Sequence, residues 1–267
     1  YHLEIILFLH YLVLKIRISV RFVLEFITYN PDDKQRLWDF YLVGGDEAPP
    51  AFGLFHASLQ NLSNYHVCGG AIVSKWHIVT AAHCVSGASP EYINVVVGTA
   101  DLNEGGIKYD VATINIYNEF NYSSRANDIA LLKVSEPFDL NYVNIISLSE
   151  DPLNEGDIVF LSGFGAYKVN GASNTQMQVL TLPVFNQNIC QHAMRYTREV
   201  TKEMFCTFTQ IGQGTCNGDS GSPIIQDDKL VGVVSWGIPC AVGFPDVHTR
   251  VAPFVQWIRS EIRKDIC

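Results

Sequence analysis

From Leu42 onward the sequence predicts an all-β fold of antiparallel barrels with one C-terminal α-helix. Three observations carry this: short runs rich in Val and Ile, turn-forming clusters between them, and a helical apolar period near the end. The runs are "INVVVG", "ATINIY", "IALLKV", "DIVFLSGFG", "QVLTLPVF" and "KLVGVVSWG", separated by Gly, Asn, Asp and Pro. Their β-branched side chains pack well on a pleated surface, which favours strands. A short helix is expected over Gln187 to Tyr196. A second begins at Pro253, where Phe254, Ile258 and Ile262 share one face at i, i+4, i+8. The chain shows no internal repeat and no low-complexity linker.

Composition narrows the chemistry. The net charge is −9 and the pI about 5.3, and no basic run stands out, which argues against a nucleic-acid ligand. Residues 42–267 hold 13 Lys and Arg against 22 Asp and Glu, a solvated acidic surface. The seven cysteines are Cys68, Cys84, Cys190, Cys206, Cys216, Cys240 and Cys267. None forms a C-x-x-C, and His83 beside Cys84 has no partner at zinc-finger spacing. Disulfides in an oxidising compartment are expected, in keeping with two glycosylation sequons at Asn61 and Asn121.

Residues 1–41 read differently. "EIILFLHYLVLKIRISVRFVLEFI" is apolar but interrupted by Glu4, Lys15, Arg17, Arg21 and Glu25. Its longest uncharged run, Ile5 to Leu14, has ten residues, too short for a bilayer span. It lacks the basic start and small-residue cleavage site of a secretion signal. The expectation is a leader, propeptide or mistranslated segment outside a folded domain of residues 42–267.

Three stretches carry reactive groups. "VTAAHC" places His83 after small residues, "NDIALLK" places Asp128 at the head of an apolar strand, and "GDSGSP" places Ser220 among glycines. Each alone has a structural explanation: a satisfied histidine, a strand-capping acid, a turn serine. Together they supply a hydroxyl nucleophile, an imidazole base and a carboxylate to orient that base. The order His…Asp…Ser excludes the α/β-hydrolase arrangement, and Ser222 breaks its G-x-S-x-G elbow.

These motifs, with "LVGGDEAP", "CGGAIVSKWHIVTAAHC", "VVSWG" and "PDVHTRV" in order and spacing, resemble the chymotrypsin-like serine proteases of trypsin fold. In appearance they are most similar to insect chymotrypsins. The resemblance implies two six-stranded barrels with the triad at their seam. It implies Ser220 as nucleophile, His83 as general base and then acid, and Asp128 as its orienter. The N–H groups of Gly218 and Ser220 are implied as the oxyanion hole, and Ser235, Trp236 and Gly237 as the strand that pairs with substrate. Thr215 is implied beside them in the substrate pocket. Implied disulfides are Cys68–Cys84, Cys190–Cys206 and Cys216–Cys240, which leaves Cys267 as a free thiol or an intermolecular bridge. The loop "GTADLNEGGIKYD" lacks the spaced carboxylates of calcium-binding relatives, so no metal and no cofactor is expected.

Specificity and activation follow from the same resemblance. Gly214 stands where trypsins hold an aspartate, which favours a large aromatic residue or Leu in the pocket. Asp246 stands where most relatives have glycine. Its carboxylate either enters the pocket from the flank and admits Arg or Lys, or turns away to backbone or His248. Activation in the family pairs a new N-terminal ammonium with the acid before the nucleophile. Here that pair is Leu42 and Asp219, although Tyr41 precedes Leu42 and the nearest basic residue is Arg36. Either a cut follows Tyr41, or residues before Leu42 are not the true leader. Expected partners are protein or peptide substrates and protein protease inhibitors, with no nucleic acid, no membrane and a monomeric state. A secreted protein is implied. The competing reading is a catalytically silent homologue that acts as a binding module, but its usual mark, a broken triad, is missing.

Overall fold

The computed structural model describes residues 43–168 and 171–265. Leu42, Cys267 and the expectations for residues 1–41 lie outside these. The first elements are strand β1 (Asp46–Glu47) and a four-residue helix α1 (Pro50–Gly53). Strands β2 (His56–Gln60), β3 (His66–Ile72) and β4 (His77–Thr80) follow. A single turn, α2 (Ala82–Val85), then precedes β5 (Asn94–Val97), β6 (Ile107–Ile116) and β7 (Ala130–Val134). Strands β2 to β7 close into an antiparallel barrel in the order β2-β3-β4-β7-β6-β5.

The second half contains β8 (Ser147–Leu148), β9 (Ile158–Gly163), β10 (Gln178–Phe185) and α3 (Gln187–Met194). Then come β11 (Met204–Thr207), β12 (Pro223–Gln226), β13 (Lys229–Trp236), β14 (Asp246–Arg250) and α4 (Val255–Lys264). Here the order β9-β10-β11-β14-β13-β12 closes through a β12–β9 pairing, with β1 and β8 added at the margins. The fold is therefore two six-stranded antiparallel barrels with a C-terminal helix.

Alternation along the strands explains how the barrels join. In β7, Ala130, Leu132 and Val134 enter the first barrel's interior, while Leu131 faces the other way with Ile129. Likewise Ile72 and Ile78 point inward, and Ala71 and Val79 point out. From the second barrel, Leu230 and Val233 meet these outward residues, while Val231 and Val234 fill their own barrel's core. Alternation thus gives each strand one face for its barrel and one for the seam, with a bulge at Val231 shifting the phase within β13.

Helix α4 packs into this seam. Phe254 and Ile258 are buried, and Ile262 and Trp257 are partly buried against the same cluster. Tyr117 clamps the helix start, its ring edge-on to Phe254 at 5.0 Å and to Trp257 at 5.3 Å. At the far end Asp265 pairs with His77 at 2.7 Å and Lys133 at 3.2 Å, both on the first barrel. Helix α3 is capped by Asn186, whose Oδ1 accepts from the Ile189 N–H at 2.9 Å. All three implied disulfides form: Cys68–Cys84, Cys190–Cys206 and Cys216–Cys240.

Candidate active site

The site starts from Asp128. The chain reverses just before β7 with Arg125 at φ 60° and Asn127 at φ 55°, an unusual pair of left-handed non-glycine residues. This turn sends Asp128 into the seam, where it is fully buried. A buried carboxylate must be hydrogen-bonded, and three donors reach it. His83 donates its backbone N–H to Oδ1 at 2.8 Å and its Nδ1–H to Oδ2 at 2.7 Å. Ser235 on β13 donates its hydroxyl to Oδ2 at 2.6 Å. Thr249 on β14 also donates to the Asp128 carbonyl, at 2.9 Å.

This arrangement assigns the imidazole proton. A carboxylate only accepts, so Nδ1 is the donor nitrogen and Nε2 of the neutral ring is left as acceptor. His83 sits on α2 with its side chain 13% exposed. It lines an open cavity of about 170 Å³ together with Ser220, Thr215, Ser235, Trp236 and Gly237. His83 and Ser220 therefore come from different barrels and line one cleft. Cys68, His83 and Cys84 also lie within 4.8 Å of one another. Both sulfurs belong to one disulfide, so no thiolate exists there to hold a metal.

The loop carrying Ser220 is pinned on both sides. The Gly69 N–H donates to the Ser220 carbonyl at 2.8 Å, and the Gly221 N–H donates to Val234 O at 2.8 Å. Gly218 has φ +98°, a backbone conformation that side-chain-bearing residues rarely adopt. Among the described residues, the N–H groups of Gly218 and Ser220 have no protein acceptor. These are two donors free to meet an oxyanion.

Sequence reasoning missed a support behind this loop. His66 donates from Nε2 to the Gly218 carbonyl at 2.9 Å and accepts at Nδ1 from Ser58 Oγ at 2.8 Å. Burial holds His66 neutral, with its pKa lowered to about 4, which suits one donor and one acceptor. The only sequence signal was a histidine two residues before Cys68, within a strand that reads as mixed.

Asp219 is fully buried beneath the loop. It accepts from the N–H groups of Gly165 and Cys216, each at 2.9 Å. Burial pushes its pKa up to about 7, because two amide donors offset only part of the lost hydration.

Gly214 and Asp246 compete for one space. A Cβ on Gly214 would lie 2.5 Å from Asp246 Oδ2, so the carboxylate fills the space a side chain at 214 would need. Asp246 Oδ2 accepts from the Thr215 N–H at 2.7 Å, while its Oδ1 has no partner among the described residues. A Cβ on Gly237 would lie 2.9 Å from that Oδ1. The carboxylate thus sits between Gly214 and Gly237, not on His248, which pairs with Thr207 at 2.8 Å. Burial raises the Asp246 pKa to about 6.

The remaining candidates lie elsewhere. Asn61 and Asn121 are exposed at tight turns, where their Oδ1 atoms accept from the following backbone N–H groups. A second cavity, about 360 Å³, is lined by Ser74, Trp76, His77, Lys133, Ile262 and Asp265. There Asp265 pairs with His77 and Lys133, Ser74 Oγ lies 2.7 Å from His77 Nδ1, and Lys75 also lines the cavity.

Comparison with known proteins agrees with this geometry. The sequence model of the family described as Trypsin matches residues 42–258. The chain is 36% identical over 223 residues to "Chymotrypsin-2" of Vespa crabro, spanning 82% of this chain and 99% of that protein. It is 33% identical to "Trypsin" of Phaedon cochleariae, over 82% of this chain and 88% of that one. It is 32% identical to "Vitellin-degrading protease" of Bombyx mori, over 84% and 86% respectively. With these motifs, two closed barrels and a buried Asp–His pair opening beside a serine, the chain belongs to the trypsin family of serine proteases.

Proposed function

We propose that residues 42–267 form a secreted serine endopeptidase that cleaves after large apolar residues, with weaker cleavage after Arg and Lys. The carrying observation is that the His83–Asp128 pair leaves Nε2 as acceptor in the same cavity as Ser220. In this mechanism Nε2 takes the Ser220 proton as Oγ attacks the substrate carbonyl. The oxyanion meets the N–H groups of Gly218 and Ser220, each such donor contributing about 3 kcal/mol. His83 then protonates the leaving amine, and water repeats the sequence on the acyl-enzyme. Secretion is supported by the three disulfides and by the exposed sequons. Among the described residues no helix is long and apolar enough to cross a membrane.

The pocket reading rests on Gly214 and Asp246 together. Without a side chain at 214, an aromatic ring or Leu contributes roughly 1.5–3 kcal/mol by burial. The unpartnered Oδ1 of Asp246 supplies the anchor for a guanidinium or ammonium. An ammonium at Leu42 is the proposed partner of Asp219, completing its hydrogen bonds with a charge.

Three outcomes are expected. Ser220→Ala lowers kcat by about 10⁶, and a fluorophosphonate labels Ser220 in the unaltered enzyme. An enzyme that cleaves nothing and resists labelling contradicts the reading. The ratio of kcat/KM for Arg over Tyr substrates rises as the pH passes about 6, where Asp246 ionises. Asp246→Gly abolishes that rise, and a ratio flat with pH in the unaltered enzyme would contradict the flank anchor.

Third, the folded pKa of Asp219 lies above its unfolded value. The native state then holds the proton more tightly, so this group's contribution to stability falls as pH rises from about 4 to about 7. Protein extended beyond Leu42 should show that slope in Tm relative to Asp219→Asn. Protein starting at Leu42 should not, because the ammonium stabilises the carboxylate. Equal slopes in both would refute the pairing.

A further inference from the structure

Charge in the cleft runs opposite to charge in the molecule. The protein carries −9, yet the charged side chains lining the cavity, among the described residues, are Arg125 and Arg198; no carboxylate lines it. Neither arginine forms an ion pair with a carboxylate among the described residues. Both are held in place by other means. The Arg125 guanidinium lies 4.4 Å from the centre of the Tyr122 ring, and its buried Nη1 has no hydrogen-bond acceptor. Arg198 lies 5.5 Å from the Trp236 ring and donates from Nε to Ser123 O at 3.1 Å.

Aromatic stacking and one backbone bond restrict these side chains without neutralising them. They are preorganised cations with donors left over. Their remaining guanidinium donors, without a carboxylate partner, favour a ligand that brings an acceptor. Trp236 lies in Ser235–Gly237, the stretch that the family resemblance implies pairs with substrate, and it lines the same cavity as Ser220.

We propose that Arg125 and Arg198 make this cleft select peptides with a carboxylate side chain within the three residues preceding the cleavage-site residue. The inference rests on the endopeptidase reading and names its substrate class. A carboxylate there accepts from guanidinium donors that otherwise lack acceptors, and the opposed charges speed encounter. A basic residue at the same place meets two like charges.

The test uses peptides with Tyr at the cleavage site and either Glu or the isosteric Gln one, two or three residues before it. At low salt the enzyme should favour Glu over Gln in kcat/KM by about tenfold at one or more positions, equal to about 1.4 kcal/mol. The preference should shrink at about 0.5 M salt, where screening is short-ranged. Arg125→Gln and Arg198→Gln should each lower the Glu/Gln ratio, and Arg125→Lys should lower it less than Arg125→Gln. The ratio is internal to each protein, so a variant's loss of overall activity does not mimic the result. A ratio near unity in the unaltered enzyme, or one unmoved by both Gln substitutions, overturns the proposal. A single-residue tyrosine ester separates the two levels. Ester hydrolysis without acidic preference defeats only this inference, whereas failure to hydrolyse the ester defeats the endopeptidase reading.

Discussion

A carboxylate with no exposure to water, Asp128, sits where the two barrels meet. Leaving such a charge unpaired would cost several kcal/mol, so the surroundings must bring donors to it. They come from both barrels: His83 from the turn after β4, Ser235 from β13. The seam cluster of Val79, Ile129, Leu131, Leu230, Val233 and Ile258 excludes water from this region. The same contacts that dock the barrels therefore fix the imidazole. Removing one donor should cost more than an ordinary hydrogen bond, because the charge stays buried.

The pocket shows a comparable dependence between distant positions. Asp246 is 32 residues from Gly214 in sequence, yet its carboxylate occupies the space above that glycine. Any side chain at 214 would displace the carboxylate, and any shift of the carboxylate would reopen the floor. The space there is thus a joint property of two residues on separate segments. Its charge, moreover, is titratable near neutrality, with the pKa of Asp246 raised to about 6 by burial.

Much of this was legible in the sequence, for identifiable reasons. Strands β5, β7, β9, β10 and β13 announce themselves by Val and Ile content, and the α4 face by its four-residue apolar period. The motifs were visible because His83 and Ser220 stand among small residues and Asp128 heads an apolar strand. Strands β2 and β3 were harder to see. "HASLQ" and "HVCGGAI" mix His, Ser and Gly, and two of their buried histidines meet partners far along the chain, His56 with Ser162 and His66 with Gly218. His66 is the clearest case: its role depends on Gly218, 152 residues away. The four-residue helices α1 and α2 escaped because one turn carries no periodic signal. Arg125 and Arg198 were invisible as a pair for the same reason as His66, since only the fold brings them into one cavity.

The proposed chemistry depends on where His83 carries its proton. Nitrogen-15 NMR of the imidazole at a pH where the ring is neutral measures it directly. The geometry requires the proton on Nδ1, donated to Asp128, with Nε2 left as an acceptor. In Asp128→Asn that tautomer should be lost, with kcat falling by about 10⁴. A neutral His83 carrying its proton on Nε2 in the unaltered enzyme would contradict this chemistry.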